Sequence, residues 1–167
     1  MNITTLGEAR FPSPLPYHVS DKLRVLFNAV VDPDEPAKEE ILFEVAGPRK
    51  MLFFDPQKTR AGIVTCGGLC PGLNNVIRSL VLELYHGYGV REILGFRNGY
   101  QGLDPWRGGE PVPLSPEFVD DIHKAGGSAL NTSRGPVDVS MAVDNLIRRK
   151  VDILFVVGGD GTQRGGA

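Results

Sequence analysis

The sequence is poor in cysteine, has no strong excess of charge and contains no long hydrophobic run. Its 167 residues include only two cysteines, Cys66 and Cys70. Two are too few for a disulfide framework or a four-thiolate zinc site, so we expect buried thiols. A formal net charge of −2 argues against a broad surface for nucleic acid or anionic membrane. Without a run of about 18 apolar residues or a basic-then-apolar leader, we expect a cytoplasmic protein with no membrane span.

The first 58 residues differ in character from the rest of the chain. Several prolines precede two short β-prone segments at residues 25–31 and 41–45, and the acidic stretch 32–36 between them predicts a surface turn. We therefore predict an N-terminal extension over residues 1–58, without an assigned catalytic role, and one core domain over residues 59–167.

The core domain begins with a strand, a glycine-rich loop and a helix. Residues 61–65 predict a buried strand, and apolar residues at steps of three and four predict a helix that starts at Leu73 and stops at Gly87 and Gly89. The apolar stripe consists of Leu73, Val76, Ile77, Leu80, Val81 and Leu84. The intervening loop, 66–72, matches neither the dinucleotide nor the Walker pattern. It is either a phosphate cradle at a helix N-terminus or a simple turn.

Residues 90–96 predict the next strand, which is followed by two aromatic residues of interest. Tyr100 either borders a nucleotide or covers the edge of the core, and the residues alone favour the structural role. We expect Trp106 to pack over the edge of the sheet. Ser115 is suited to cap a short helix over residues 116–124.

The polar loop at residues 126–135 carries one fixed positive charge, Arg134. Beside Gly135 and small hydroxyl residues, its guanidinium is suited to bidentate phosphate binding, although a structural ion pair is equally compatible with the pattern. An amphipathic helix is predicted next, ending in a basic triplet at 148–150 that complements the helix dipole at a solvated surface. Its apolar positions are Val139, Val143, Leu146 and Ile147.

The stretch at residues 152–157, which is apolar after Asp152, is followed directly by glycines on both sides of a single carboxylate. Such a run predicts a strand buried on both faces of a parallel sheet, and ligands bind beyond the carboxyl ends of such strands. Gly158, Gly159 and Gly161 allow phosphate oxygens to approach the backbone, and Asp160 is suited to hold a hydrated cation. The alternative is a tight strand-to-helix turn with Asp160 as the N-cap.

Four segments together resemble the 6-phosphofructokinase family: residues 62–75, 95–103, 126–135 and 158–162, in family order. The amino-acid sequence of residues 66–72 and the long N-terminal extension are similar to those of the family branch that includes plant ATP-dependent enzymes. The resemblance implies an α/β fold, a truncated three-layer Rossmann-like parallel sheet with helices on both faces. It also implies transfer of the γ-phosphoryl group of ATP to fructose 6-phosphate with Mg²⁺, in glycolysis, by a homo-oligomer.

The resemblance also implies roles for individual residues. Arg134 contacts the phosphates and offsets charge in the transition state, while Asp160 serves Mg²⁺. Gly161 stands where pyrophosphate-dependent relatives usually carry aspartate, which favours ATP as the donor. The implied nucleotide-binding residues are Gly68, Tyr100, Arg134, Gly135, Gly159, Asp160, Gly161 and Thr162.

The 167 residues do not contain the Thr-Ile-Asp-Asn-Asp stretch that supplies the family's catalytic base, nor its sugar-phosphate site. We therefore expect an amino-terminal portion with negligible kinase activity by itself. Two alternatives are a non-catalytic nucleotide-binding remnant and a pyrophosphate-dependent enzyme. NAD kinases and diacylglycerol kinases share only the Gly-Gly-Asp-Gly-Thr stretch, and the loops at 67–72 and 127–135 argue against them.

Overall fold

The computed structural model describes residues 6–28, 41–135 and 137–166, and the chain divides into two compact units, Met1–Asp55 and Pro56–Ala167. In the first unit β1 (Phe11–Pro12) pairs with β4 (Met51–Leu52), and β2 (Arg24–Leu26) pairs with β3 (Leu42–Glu44), both antiparallel. The strand predicted at 41–45 is confirmed. The strand predicted at 25–31 starts one residue earlier and ends at Leu26, while residues 29–31 and the predicted turn at 32–36 lie outside the described residues.

The second unit is built on a parallel sheet. β5 (Arg60–Thr65) lies between β6 (Glu92–Phe96) and β8 (Ile153–Val157), and all three run parallel, as the sequence predicts. A short strand that was not predicted, β7 (Val112–Pro113), pairs antiparallel with β6. Among the described residues the order in this sheet is therefore β7-β6-β5-β8.

The helices follow the predicted pattern with different ends. Helix α1 (Leu73–Leu82) continues into a π-helical turn, and the segment ends at Gly89 with φ +80°, whereas Gly87 lies inside that turn. The Ser115 hydroxyl caps α2 (Pro116–Val119) by accepting a hydrogen bond from the Phe118 amide at 3.2 Å, as predicted. The helix predicted over residues 116–124 is shorter than expected, because it ends at Val119 and a separate 3₁₀ turn follows. The helices are α1 (Leu73–Leu82), α2 (Pro116–Val119), α3 (Val139–Arg148) and α4 (Asp160–Gly166); the other turns are π-helical Glu83–Tyr88 and 3₁₀ Gly99–Leu103 and Ile122–Lys124. No helix within the described ranges is long and apolar enough to cross a membrane.

Alternating side chains of the sheet enter two separate cores, one on each face. Ile63 of β5 packs with α1 and α2, whereas the next residue, Val64, packs with Phe96 and with Ala142 of α3. Period-two alternation of this kind is the consequence of strand geometry. The three-layer α/β arrangement with helices on both faces is thereby confirmed.

Several predicted apolar contacts are not made by the described residues. Every residue of β8 is only half-buried, not buried on both faces, because among the described residues β8 pairs with β5 alone. Val139, Val143 and Ile147 of α3 lie exposed along one side of the helix, and Val76 of α1 is also exposed. Burial of α3 is instead provided by Ala142, Asn145 and Leu146, of which Leu146 is half-buried.

Trp106 does not pack over the sheet, contrary to the prediction, because 85% of its surface is exposed. The turn that holds it is closed by Asp104: the Trp106 amide donates to the Asp104 carboxylate at 2.8 Å, and the Gly108 amide donates to the Asp104 carbonyl at 2.8 Å. This turn is stabilised by its own hydrogen bonds, so the indole is not needed for packing.

The amino ends of the strands are joined by arginines. Arg60 forms an ion pair with Glu92 of the neighbouring strand and donates to the Arg149 carbonyl, while its backbone amide donates to Asp152 at 2.8 Å. Arg149 in turn donates to both carboxylate oxygens of Glu110 at 2.8 and 3.0 Å. The basic triplet is therefore not simply solvated, since its central member ties α3 to the loop before β7.

Candidate functional site

A cavity of about 410 Å³ lies at the carboxyl ends of the parallel strands. Loops after β5, β6 and β8, together with the polar loop before α3, form its walls. All eight residues that the family resemblance implies for nucleotide binding line it: Gly68, Tyr100, Arg134, Gly135, Gly159, Asp160, Gly161 and Thr162. Cys66, Gly67 and Ser133 also line the cavity. Cys66 and Gly67 belong to the loop 66–72 that the sequence offers as a phosphate cradle, but none of the three was predicted individually as a nucleotide-binding residue. Their positions depend on how the loops fold together, and no local pattern signals that.

Arg134 lies directly over the glycine loop that follows β5. A side chain added at Gly68 would place its Cβ 2.9 Å from the Arg134 guanidinium, so the absence of a side chain at Gly68 leaves room for this cation. The backbone around Arg134 is held by the Gly67 amide, which donates to the Ser133 carbonyl at 3.2 Å, and by the Ser133 hydroxyl, which donates to the Asn98 carbonyl at 2.5 Å. The guanidinium is exposed to the cavity, and the backbone is held at the preceding residue, Ser133.

Tyr100 lies at the cavity and also joins two of the loops that surround it. Its ring lines the cavity, and its hydroxyl donates to the Thr162 carbonyl at 2.6 Å, which ties the loop after β6 to the turn after β8. Burial, with a smaller contribution from Cys66, raises the pKa of Tyr100, so the hydroxyl stays protonated and remains a donor at neutral pH.

The turn between β8 and α4 leaves open space above its backbone. A Cβ added at Gly159 or Gly161 would meet nothing within 4 Å, whereas one at Gly158 would lie 2.3 Å from the Thr162 hydroxyl oxygen. Gly158 is thus required for the close packing of the turn, and Gly159 and Gly161 leave the backbone accessible to a ligand. α4 begins at Asp160 itself, so this residue lies in the first turn of the helix and is not its N-cap.

Asp160 is the acidic side chain that lines the cavity, and it is exposed. Within the described ranges, no group of three or more His, Cys, Asp or Glu residues is placed to hold a metal ion. A single carboxylate fits Mg²⁺ bound to a polyphosphate, because this ion keeps several waters and takes one or two carboxylates together with phosphate oxygens. The single carboxylate of this cavity therefore fits Mg²⁺ that binds together with a polyphosphate.

The two cysteines differ in environment, which corrects the expectation that both are buried. Cys66 is buried at the floor of the cavity, whereas Cys70 is exposed on the glycine loop. Burial raises the pKa of the Cys66 thiol to about 11, although a hydrogen bond with the Tyr100 backbone acts in the opposite direction. At neutral pH Cys66 is therefore a protonated, weakly nucleophilic thiol.

We expect iodoacetamide at pH 8 to modify Cys70 at least about ten times faster than Cys66 in the native protein, because the buried thiol is both shielded and protonated. Peptide mass spectrometry after timed quenching measures the two rates, and the same reaction in denaturant is the control, where the rates should converge. Equal rates in the native protein would contradict the burial of Cys66.

The pKa of Cys66 in the folded chain lies above its ordinary value of 9.0, so this thiol ionises first in the unfolded chain. The stability of the protein should therefore fall as pH rises from about 9 to 11, which urea unfolding at a series of pH values measures.

In a three-layer α/β unit of this kind, ligands bind beyond the carboxyl ends of the parallel strands, which is where the glycine-lined polar cavity lies. The phosphofructokinase family model matches residues 60–167, more than half of the chain and nearly all of the second unit. The chain belongs to the phosphofructokinase family.

Several curated relatives carry the name ATP-dependent 6-phosphofructokinase. The protein from Amycolatopsis methanolica is 45% identical over 178 residues, covering 98% of this chain and 39% of its own length, so the similarity includes the first unit. The protein from Entamoeba histolytica is 54% identical over 73% of the chain and 28% of its own length. ATP-dependent 6-phosphofructokinase 7 from Arabidopsis thaliana is 47% identical over 74% of the chain and 25% of its own length.

A solved structure supports the same fold. Pichia pastoris phosphofructokinase in the T-state matches with a TM-score of 0.57 and 28% identity, over 71% of this chain and 14% of that chain. The present chain thus spans about two fifths or less of the proteins compared here. Because the Amycolatopsis methanolica protein matches 98% of this chain, a similar N-terminal segment also occurs outside plants.

Proposed function

We propose that these 167 residues form the phosphoryl-donor side of an ATP-dependent 6-phosphofructokinase and bind MgATP in the cavity beyond β5, β6 and β8. The observation that carries the proposal is the convergence of Arg134, Asp160 and an accessible glycine backbone on one cavity. A cation, a carboxylate and open backbone amides are the groups that phosphate-transfer sites use to bind a metal-complexed polyphosphate.

In the proposed reaction the chain binds and orients the donor. Arg134 donates hydrogen bonds to phosphate oxygens and offsets the negative charge that accumulates on them, and Gly159 and Gly161 leave room for the polyphosphate against the backbone. Asp160 holds the cation, and Mg²⁺, when bound, neutralises part of the charge on the transferring group. Tyr100 holds the turn that carries Asp160 through its hydrogen bond to Thr162.

The acceptor in this proposal is the 1-hydroxyl of fructose 6-phosphate, and the setting is glycolysis in the cytoplasm by a homo-oligomer. The base that takes the proton from this hydroxyl in the family is not among the 167 residues. The chain alone should therefore bind MgATP without forming fructose 1,6-bisphosphate. Formation of the bisphosphate by the purified chain would overturn this part of the proposal.

Asp160→Asn tests the donor site directly. We expect calorimetric titration to show that the unaltered chain binds MgATP at least about tenfold more tightly than magnesium pyrophosphate. The substitution should weaken MgATP binding about tenfold, because one charged ligand of the cation is lost. Binding of ATP in the presence of EDTA should change by less than about twofold. Asp144→Asn, at an exposed carboxylate on α3, is the matched control and should have no effect. Failure of the unaltered chain to bind MgATP would refute the proposed function.

A further inference from the structure

Asn74, a buried residue in the first turn of α1, contacts the polar loop through both ends of its side-chain amide. Its Oδ1 accepts a hydrogen bond from the Ala129 amide at 2.7 Å, and its Nδ2 donates to the Ala125 carbonyl at 3.0 Å. The residue is 4% exposed. A single side chain therefore closes the segment 125–129 at its beginning and its end.

An asparagine at this place has a cost that its contacts must offset. Asparagine is less favourable than alanine in a helix, and a buried amide is destabilising unless its polar atoms are paired. Alanine or leucine would satisfy the helix better, so the side chain is explained by what it holds. The segment that it holds contains Gly126 and Gly127, the latter at φ +80°, and has no helix or strand of its own.

From Ala129 the backbone is fixed step by step as far as Arg134. Leu130 is fully buried against Gly95, where a Cβ would lie 2.6 Å from its Cδ2. The Asn131 carbonyl accepts a hydrogen bond from the Thr65 hydroxyl at 2.6 Å. The Ser133 contacts described above complete this path, so the loop that presents the Arg134 guanidinium to the cavity is anchored at its amino end by Asn74.

We propose that Asn74 is a positioning residue that acts through Arg134, by holding the backbone of the loop at the place where the guanidinium meets the polyphosphate. The proposal rests on the proposed binding of MgATP in this cavity. It differs from a purely structural role because its effect on affinity must depend on the presence of Arg134.

A double-mutant cycle of Asn74→Ala and Arg134→Met, read by calorimetric titration with MgATP, tests the proposal. We expect Asn74→Ala to weaken MgATP binding about tenfold when Arg134 is present and less than about twofold in the Arg134→Met background. Asn74→Gln keeps both the amide donor and the amide acceptor on a longer side chain, so it should recover part of the lost affinity. Asn75→Ala, the exposed neighbour on the same helix, is the matched control and should bind normally.

Circular dichroism of each variant separates folding from positioning. If Asn74→Ala is unfolded, Asn74→Gln carries the cycle in its place, with an expected loss of about threefold that disappears in the Arg134→Met background. Equal losses in both backgrounds, or unchanged affinity in a folded Asn74→Ala, would overturn the proposal while leaving MgATP binding intact. Absence of MgATP binding by the unaltered chain would refute the proposed function and this inference with it.

Discussion

Replacement of Arg134 by methionine should weaken MgATP binding about 30- to 100-fold, which corresponds to the loss of charge-assisted hydrogen bonds of about 2–3 kcal/mol. Methionine keeps the length of the side chain and removes its charge and its donors. The guanidinium is exposed on a loop whose backbone is tied to Gly67 and Asn98, so its removal should not unfold the chain. Calorimetric titration gives the affinity, and thermal unfolding gives the stability.

Two further variants make the Arg134 experiment specific. Arg134→Lys keeps the charge and loses the planar pair of donors, so it should recover only part of the affinity. Arg107→Met removes an exposed arginine away from the cavity lining and should leave binding unchanged. An Arg134→Met chain that binds MgATP as tightly as the unaltered chain would exclude Arg134 from phosphate binding.

Replacement of Phe96 by alanine should lower the free energy of unfolding by about 3–5 kcal/mol. Phe96 is 1% exposed and lies at the carboxyl end of β6, where it packs with Val64, Leu103 and Ala142. A Cβ at Gly62 would lie 3.0 Å from the ring, so the neighbouring strand is already at close contact and cannot move far to fill the cavity. Such a loss is a large fraction of the about 5–15 kcal/mol that typically stabilises a domain.

Urea unfolding followed by circular dichroism measures the Phe96→Ala effect. Val139→Ala is the comparison, because Val139 is 62% exposed on α3 and its truncation should change stability by no more than about 0.5 kcal/mol. A loss below about 1 kcal/mol for Phe96→Ala would mean that the core on this face of the sheet is not close-packed.

The three parallel strands, α1 and the chemistry of the loops could be predicted because each depends on local sequence. β5 is a short, continuously buried run, α1 has the apolar periodicity of a helix, and the glycines around Asp160 mark the end of β8. The resemblance added the order of the loops, and with it the expectation that residues far apart in the chain meet. The structure brings them to one cavity, although their roles toward a ligand remain predictions.

Contacts made across the chain could not be predicted in the same way. Hydrogen bonds of Asn74 and Thr65 to the polar loop join residues more than 50 positions apart, and neither side chain differs locally from an ordinary polar residue. The exposed row on α3 has the same periodicity as a buried one, because period reports which residues share a face and not whether that face is covered. For Trp106, size and hydrophobicity favoured burial, but the hydrogen bonds of its turn place it in solvent.

The two ends of β5 carry different kinds of residue, and this separation bears on how such a fold can diverge in evolution. At the amino end, Arg60 forms an ion pair with Glu92 of the neighbouring strand and donates to the Arg149 carbonyl beyond α3. At the carboxyl end, Cys66 and the glycines that follow face the cavity. Changes in ligand preference can therefore accumulate in the loops at one edge while the ion pairs at the other edge preserve the architecture. Lineages of one family can in this way exchange donors or effectors without having to rebuild the scaffold.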